Sequence, residues 1–549
     1  MKKTCPISGR TFEWRKKDLE FYERMGVPVP DIHPDEFLRK LMACRNEWKL
    51  YRRECDRTGD TMISAYHDKA PFPVYKNEVW WGDGWDGLDY GFDFDGKKPF
   101  FEQYLKLRNK VPREGTSVFN SENCEYNSHI RESRNCYLCS LVYQVEDCMY
   151  TDWVVHDKDL IDCHMMTDCE LCYECQNCTN CFEGVMLQEC NGSSNCSFSY
   201  QLTGCDHCIG CSNLNHKSYY VFNKQVSKEE YQKMHDQTFN GKFSTWKQGV
   251  QFFNDMWKKA EHRFVHNLKG ENVEGDTLIN CKNCWHSFEG WESEDCAYNI
   301  SFDHSKDIYH TYSAGWTGCE LVHYSSVTRG STDIRFCYYT WFSNNMTYCD
   351  SCSSCQDCFG CVGLKHKKYC IFNKEYSKDE YFSLRDKIIQ HMKESKEWGT
   401  LPPEFSTFAY NETAAQAWFP LTKEKAEKMG FSWLENVEEA IKTDQDVQKT
   451  LPDGLPEVGE DILEKVLICE TSGKKYQIQK KELEFYRKMK LPIPRLCPEE
   501  RHNIRDKRLN TRVLFERTCS QCHDTVRSTF APDRPERVLC EKCYLASVD

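Results

Sequence analysis

One position in every three along residues 124–211 holds a cysteine or a small, mostly apolar residue. All fifteen cysteines of this stretch share the frame, and frame positions without cysteine include Val154, Leu187 and Leu202. An α-helix repeats every 3.6 residues and a flat strand every two, so neither keeps a period of three. A chain that winds in narrow coils does keep it, because its corners recur at fixed intervals. The pattern therefore predicts a parallel β-solenoid with interior ladders of like residues.

Two longer spacings overlie this frame and leave the coil length and handedness open. A step of 21 joins Cys148, Cys169, Cys190 and Cys211, whereas a step of 12 joins Cys124, Cys136 and Cys148. An Asn or Asp precedes many frame cysteines, and these residues tolerate tight turns. We therefore expect corners at Asn135, Asp147, Asp162, Asp168, Asn177 and Asn195.

A second segment with the same period follows at residues 277–376. Cys281, Cys284 and Cys296 share one frame and the cysteines from Cys319 to Cys370 share another, so one insertion or deletion separates them. Both segments end in Phe-Asn-Lys and then Ser-x-x-Glu, which is a helix capping box. We expect helical caps within residues 227–276 and 377–433 to cover the exposed sheet edges.

The two ends of the chain, residues 1–82 and 468–549, are copies of one module at a constant offset of 464 residues. An aromatic and acidic connector occupies residues 83–117, and residues 434–467 are an acidic linker. For the aromatic passage that leads into this connector, docking of the first module onto a solenoid end is favoured over a platform that stacks bases or sugars. The predicted fold is mainly β: two Cys-ladder parallel β-solenoid (β-helix) segments, at 118–226 and 277–376, with duplicated zinc-ribbon-like α+β modules on either side.

The clearest chemistry is in the C-terminal module. Two C-x-x-C pairs at zinc-ribbon spacing are formed by Cys519, Cys522, Cys540 and Cys543. Each pair presents two thiolates on one side of a turn, and four thiolates complete a tetrahedron around Zn²⁺. Because no coordination position stays open, the predicted zinc is structural.

The module has two weaker potential sites, with Cys5, His33 and Glu36 near the start and Cys469, Cys497 and Glu500 in the second copy. Ser8 and Ser472 fill the fourth positions, and serine is a poor zinc ligand. The N-terminal equivalents of the four-cysteine set are Cys55, Thr58, Lys76 and Val79. Three ligands are missing there, so we expect that position to fold without zinc.

The solenoid cysteines have three interpretations. The run from Cys169 to Cys181 consists of successive C-x-x-C pairs, which suits an iron–sulfur cluster. Free cysteine also packs as a small hydrophobe, and frame positions such as Val154 cannot bind metal, so a core role is favoured. Disulfides are disfavoured, because no signal peptide follows Met1 and no run of 18 apolar residues exists. We expect a cytoplasmic protein with mostly reduced thiols.

Several motifs together resemble a family of Cys-rich proteins with flanking zinc ribbons that is common in candidate-phyla-radiation (Patescibacteria) bacteria. The motifs include C-x-x-C-F-G-C at 355–361, Y-N-E-T at 410–413, and the V-P-V-P of the first module. The family has C-x-x-C-G and C-P-x-C-R pairs in its terminal modules. This chain departs from them at Ser8, His33, Glu36, Thr58, Lys76, Val79, Ser472 and Glu500. The resemblance implies no particular activity.

Three functions are compatible with these patterns. The first is a non-enzymatic scaffold that binds a protein or ribonucleoprotein partner along its solenoids. The second is nucleic-acid binding through the C-terminal module, which holds 18 Lys and Arg against 12 Asp and Glu, with Arg501, Arg505, Lys507 and Arg508 as contacts. The third is a β-helix enzyme or an iron–sulfur protein. The net charge of −13 disfavours a surface that coats nucleic acid, and no Walker, H-E-x-x-H or G-x-S-x-G motif occurs. We therefore favour the scaffold and name no catalytic residue.

Overall fold

A computed structural model describes residues 1–435, 447–448 and 451–548. The chain divides into two compact units, and each unit is discontinuous in sequence. The first unit comprises Met1–Thr116, Val265–Asn436 and Thr511–Phe515, and the second comprises Ser117–Phe264, Val437–Asn510 and Glu516–Asp549. Each terminal module therefore belongs to the unit that contains the more distant of the two cysteine-rich segments. The predicted linker at 434–467 lies partly outside the described residues.

The described residues contain twelve α-helices. Seven lie in the first unit: Lys16–Met25, Pro34–Met42, Asn77–Trp81, Phe100–Arg108, Lys378–Glu394, Ala414–Trp418 and Lys423–Lys428. Five lie in the second unit: Lys228–Thr238, Phe243–Lys259, Lys480–Met489, Pro498–Asp506 and Glu541–Val548.

The second unit is built on a sheet of fourteen strands, which we call the first ladder segment (residues 118–225). Its strands are Val118–Phe119, Ser128–Arg131, Ser140–Tyr143, Asp152–Val155, Lys158–Ile161, His164–Thr167, Glu170–Tyr173, Gln176–Thr179, Val185–Gln188, Ser197–Thr203, Asp206–Ile209, Ser212–Asn215, Ser218–Val221 and Lys224–Gln225. Shorter strands of the same unit are Glu261–Arg263, Val447–Gln448, Val466–Ile468, Lys475–Tyr476, Thr525–Ser528 and Arg537–Leu539, and the strand Phe515–Thr518 starts at the unit boundary.

The first unit is built on a sheet of twelve strands, the second ladder segment (residues 274–375). Its strands are Glu274–Ile279, Trp285–Trp291, Ile300–Asp303, Lys306–Gly315, Glu320–Arg329, Thr332–Arg335, Tyr338–Trp341, Asn344–Thr347, Asp350–Ser353, Gln356–Phe359, Lys368–Ile371 and Lys374–Glu375. The N-terminal module and connector add Lys2–Thr4, Thr11–Glu13, Tyr51–Glu54, Thr61–Ser64, Val74–Tyr75 and Arg113–Glu114. The protein is thus mainly β with two large, mostly parallel sheets, as the period of three predicts.

Parallel pairing in both ladder segments advances by 12 residues. Asp152 pairs with His164, and His164 pairs with Gln176. One step is longer, because Lys306 pairs with Glu320, and this places the predicted insertion between Cys296 and Cys319. No strand pair in the described ranges is offset by 21, so the 21-residue spacing of cysteines is not a pairing step.

Every third residue of the ladder segments has a positive φ, and this residue directly precedes the cysteine frame. All six predicted corner residues have it, with Asn135 at 55° and Asp147 at 54°. Residues with no turn preference share it, including Trp153 at 54° and Val327 at 55°. A left-handed residue turns the chain sharply, so the backbone bends after every three residues and keeps the next frame position facing the same interior.

The frame residues form the buried core of each ladder segment, in the role that we favoured for the cysteines. Their polar atoms bond the backbone. The Cys349 N–H donates to Cys337 Sγ at 3.3 Å, and that thiol donates to the Arg335 carbonyl at 3.2 Å. The frame residues Asn127 and Ser193 accept in the same way from N–H groups 12 residues later, at 2.7 and 3.2 Å. A small polar atom is therefore useful at these interior positions, and cysteine provides one while packing as an apolar residue.

Both ladder segments end in a short antiparallel strand and a capped helix, as predicted. The Ser227 side chain accepts from the Glu230 N–H at the first helix, and Ser377 and Glu380 repeat the box at the second. The aromatic connector packs on the end of the second ladder segment, where the Phe100 ring stacks on Phe372 with 5.1 Å between centroids. This contact fits the predicted docking seam.

Each terminal module packs on its ladder segment through the same helix. In the first unit, Phe21 of Lys16–Met25 stacks on Tyr309 with ring centroids 3.9 Å apart. In the second unit, Tyr486 of the equivalent helix Lys480–Met489 meets Tyr173 edge-on at 5.7 Å. The module duplication therefore extends to how each copy docks.

Candidate metal centre

The four cysteines of the predicted zinc ribbon lie together. Cys519 and Cys522 occupy the turn between Phe515–Thr518 and Thr525–Ser528, and Cys540 and Cys543 lie at the start of Glu541–Val548. Their sulfur atoms all lie within 4.8 Å of one another, and among the described residues this is the one group of three or more potential ligands that does so. The separation between Cys522 Sγ and Cys540 Sγ is 3.7 Å. The cluster can hold a metal ion.

The backbone of the turn prepares Cys519 to act as a thiolate. Burial raises the pKa of Cys519, but the N–H groups of Cys540, Cys522 and Gln521 outweigh it and lower the pKa to about 6. The Cys540 N–H lies 3.3 Å from the Cys519 sulfur. Since metal ligands must be deprotonated, this favours metal binding near neutral pH.

The same turn occurs four times in the chain, starting at Cys5, Cys55, Cys469 and Cys519. In each copy the N–H of the residue four positions on donates to the cysteine carbonyl, at 2.8–3.1 Å. That donor residue has a positive φ in every copy: 68° at Gly9, 76° at Gly59, 69° at Gly473 and 65° at His523. The chain therefore keeps four metal-knuckle turns, and one of them keeps all four cysteine ligands.

The turn at Cys55 is closed by other groups. Lys76 replaces the third cysteine, and its N–H donates to Cys55 Sγ at 3.4 Å, as Cys540 does to Cys519. The Lys76 ammonium pairs with Asp60 at 2.8 Å. A cation thus takes the place of a ligand, which agrees with the expectation of folding without zinc there.

The candidate ligands Cys5, His33 and Glu36 do not converge. His33 Nδ1 accepts from the Asp35 N–H at 3.1 Å and caps the helix Pro34–Met42. Glu36 pairs with Arg39 at 3.0 Å. Burial lowers the pKa of His33 to about 4, so its imidazole is neutral at pH 7. These side chains support the module rather than form a compact ligand set.

In the second copy the structure brings Cys469 and Cys497 together but leaves Glu500 out of any compact ligand group within the described part of the chain. The Ser472 hydroxyl lies 3.8 Å from Cys497 Sγ. This place is therefore a pair of thiols.

Three of the four residues predicted to contact nucleic acid are buried. Arg501, Arg505 and Arg508 expose 4%, 1% and 8% of their surface. Arg505 lies 2.7 Å from Asp162, and Arg508 lies 3.5 Å from Glu174. The helix Pro498–Asp506 directs its arginines toward the first ladder segment, so the predicted basic face is an internal contact and only Lys507 stays exposed.

The sequence pattern missed the carboxylates that neutralise these arginines. We placed Asp157, Asp159 and Asp162 at corner-like positions without evident partners. Asp162 pairs with Arg505, and Asp159 lies 3.2 Å from Lys488. Asp157 is an interior residue that accepts the Cys169 N–H at 2.6 Å. Its place in the frame of three was the available signal.

Comparisons with known proteins add no relative. No protein-family model matches the chain, and no curated protein matches it significantly. Within the described residues, no helix is both long enough and apolar enough to cross a bilayer.

Proposed function

We propose that this protein is a zinc-binding repeat protein that acts as a non-enzymatic binding scaffold. The observation that carries the metal part is the four-cysteine cluster, whose sulfur atoms lie within 4.8 Å of one another. Four thiolates at the ends of two C-x-x-C turns form the typical tetrahedral set of a structural zinc site. Such a set leaves no position for substrate, so the metal stabilises the C-terminal module.

We interpret each ladder segment as a β-solenoid whose coil is the 12-residue step. Four left-handed residues in each step divide the coil into four sides of three residues, and this accounts for the period of three in the sequence. Solenoids of this kind present long regular surfaces to partners.

One such surface lies on the first ladder segment. A row in 12-residue register runs through Tyr143, Val155, Thr167, Thr179 and Asn191. The first four residues are half-exposed and Asn191 is exposed. Strands lie about 4.8 Å apart, so the row offers one side chain per coil at a fixed spacing. We propose this row as the surface that binds a protein or ribonucleoprotein partner.

Metal analysis of the purified protein tests the first part. We expect about one zinc per chain. Cys522→Ser should release this zinc, whereas Cys55→Ser, in the equivalent turn of the other module, should leave the metal content unchanged. Equal losses from both variants, or iron with a visible absorption band, would contradict the proposal.

Site-specific photo-crosslinking tests the scaffold. A crosslinker at Thr179 should capture one recurrent partner in cells, and a crosslinker at the exposed Lys233 on Lys228–Thr238 should not. A protein that carries nucleic acid removable by salt would instead support the nucleic-acid alternative. The absence of any crosslink specific to Thr179 would rule out the row.

A further inference from the structure

Two thiols meet in the C-terminal module, away from the four-cysteine cluster. The Cys497 thiol is hydrogen-bonded to Cys469, and the Ser472 hydroxyl bonds both sulfur atoms, at 3.8 Å from Cys497. The Thr471 hydroxyl lies 3.5 Å from Cys469 Sγ. The turn of Cys469 therefore surrounds one sulfur with donors and holds a second sulfur beside it.

The two thiols differ in their environment. Burial raises the pKa of Cys469, but hydrogen bonds from Ser472, Thr471 and the Cys497 N–H lower it to about 6. Burial and the adjacent Cys469 sulfur raise the pKa of Cys497. Near neutral pH the pair thus consists of a thiolate and a thiol. The thiolate is the nucleophilic form of cysteine.

Access to the pair is narrow. Cys469 and Cys497 expose 1% and 4% of their surface, whereas residues 470–475, which form the turn above them, are all exposed. A single layer of turn separates the sulfur atoms from solvent. A reactant of two or three atoms fits this access better than a protein does, so the geometry favours a small oxidant.

We propose that Cys469 and Cys497 form an oxidative modification site that hydrogen peroxide converts to a disulfide. The Cys469 thiolate attacks one peroxide oxygen, the O–O bond breaks, and hydroxide leaves and takes a proton to form water. Sulfur is oxidised to sulfenic acid while the peroxide is reduced. The Cys497 sulfur then attacks Cys469, the S–O bond breaks, and the hydroxide leaves as water with the thiol proton. The balance is two thiols and one peroxide to one disulfide and two waters.

The N-terminal module contains a matched control. Cys5 occupies the equivalent turn and receives hydrogen bonds from Ser8 and the His33 backbone, and the pKa of its thiol is also lowered against the effect of burial. The residue equivalent to Cys497 is His33. Cys5 can therefore reach the sulfenic acid but has no thiol at that position to resolve it.

Peptide mapping by mass spectrometry tests the site. The full-length, metal-loaded protein is treated with hydrogen peroxide and its remaining thiols are then alkylated. We expect one Cys469–Cys497 disulfide per chain before any ladder cysteine reacts, and a dimedone adduct at Cys5 without a disulfide. In Cys497→Ser, the dimedone adduct should move to Cys469.

Three results would overturn the proposal. Cys469 might react no faster than the ladder cysteines, or it might pair with a residue other than Cys497. The third is a second metal ion in the untreated protein that Cys469→Ser removes, because the thiols would then be ligands. All three are read from the wild-type protein or from its metal content, so a variant that fails to fold does not decide the result. The zinc measurement on Cys522→Ser is separate from this test.

Discussion

The Tyr298 hydroxyl donates a 2.9 Å hydrogen bond to the fully buried carboxylate of Asp18. The bond joins the second ladder segment to the helix Lys16–Met25 within the first unit. In the second unit the Tyr150 hydroxyl donates to Glu482 at 3.0 Å. Tyr298 and Tyr150 each follow a frame cysteine by two residues, and Glu482 is the duplicate of Asp18. Both units therefore lock the module to the ladder by the same contact.

Tyr298→Phe removes this donor and leaves the Asp18 carboxylate with fewer partners. Hydrogen bonds to charged groups contribute about 1.5–3 kcal/mol, so we expect a loss of that size in the free energy of unfolding. Tyr150→Phe should cost a similar amount. Tyr126, which is 49% exposed, provides the control, and Tyr126→Phe should change stability by less than about 0.5 kcal/mol. Equal costs at Tyr126 and Tyr298 in urea unfolding would argue against a locking role.

Glu174 lies outside the cysteine frame, and we expected charge reversal there to be tolerated as a surface change. That expectation is wrong, because Glu174 is 8% exposed and lies 3.8 Å from Arg505 and 3.5 Å from Arg508. Glu174→Lys would bury three cations together and should cost about 3–5 kcal/mol. Glu170→Lys, at an exposed position of the same strand, should be nearly neutral. Adding Arg508→Glu to Glu174→Lys should restore part of the loss; no restoration would show that the pairing is not the cause.

Asp157 should make stability depend on pH. Burial raises the pKa of this interior carboxyl to about 7, against hydrogen bonds from the Cys169 and Val155 N–H groups that lower it. An unfolded Asp has a pKa of about 3.9, so the folded state binds the extra proton between about pH 4 and 7. The stabilising effect of this proton is complete below pH 4 and is lost as the pH rises to 7.

Asp157→Ser should remove that dependence. Ser193 occupies the same interior column and accepts the Cys205 N–H at 3.2 Å, so serine suits the position. The variant should show a flatter stability profile between pH 4 and 7 and higher stability than the wild type at pH 8. Parallel profiles for the two proteins in urea titrations would mean that Asp157 does not titrate in this range.

Cys337 distinguishes a structural thiol from a metal ligand. Its sulfur accepts from the Cys349 N–H and donates to a carbonyl, and Ser325 and Ser343 make the same contacts at their own positions. Cys337→Ser should therefore be mild. Cys337→Ala should cost about 1–3 kcal/mol, because it leaves buried backbone groups unpaired. Neither variant should change the metal content, and loss of metal from either one would revive the cluster interpretation.

The period of three predicted the interior positions because every step of the backbone is three residues long. The same pattern located the insertion before Cys319 and the capping boxes at Ser227 and Ser377. The coil length stayed open, since cysteine, serine and valine all satisfy the interior and blur any longer repeat. Pairing along the sheet is what selects 12 residues, and pairing is not written in one frame.

The candidate metal centre was predictable because its four ligands are close in sequence. The burial of Arg501 and Arg505 was not, since their partner Asp162 is more than 300 residues away. A helix with three arginines has the same pattern whether it faces solvent or carboxylates. The thiol pair of Cys469 and Cys497 was visible only as half of a zinc site, because its meaning depends on the hydrogen bonds around each sulfur.

The long sequence distance between each module and its ladder has a consequence for synthesis on the ribosome. Residues 1–116 emerge early, but the ladder that covers the helix Lys16–Met25 is complete only near residue 375. At about 5–20 residues per second, the apolar side of the N-terminal module waits at least ten seconds for its partner. During that interval Phe21 and Tyr22, both buried in the finished protein, are exposed to water or to a chaperone. A nascent chain that stops before residue 265 leaves this module without any of its ladder, so early truncation should favour aggregation over an independently folded fragment.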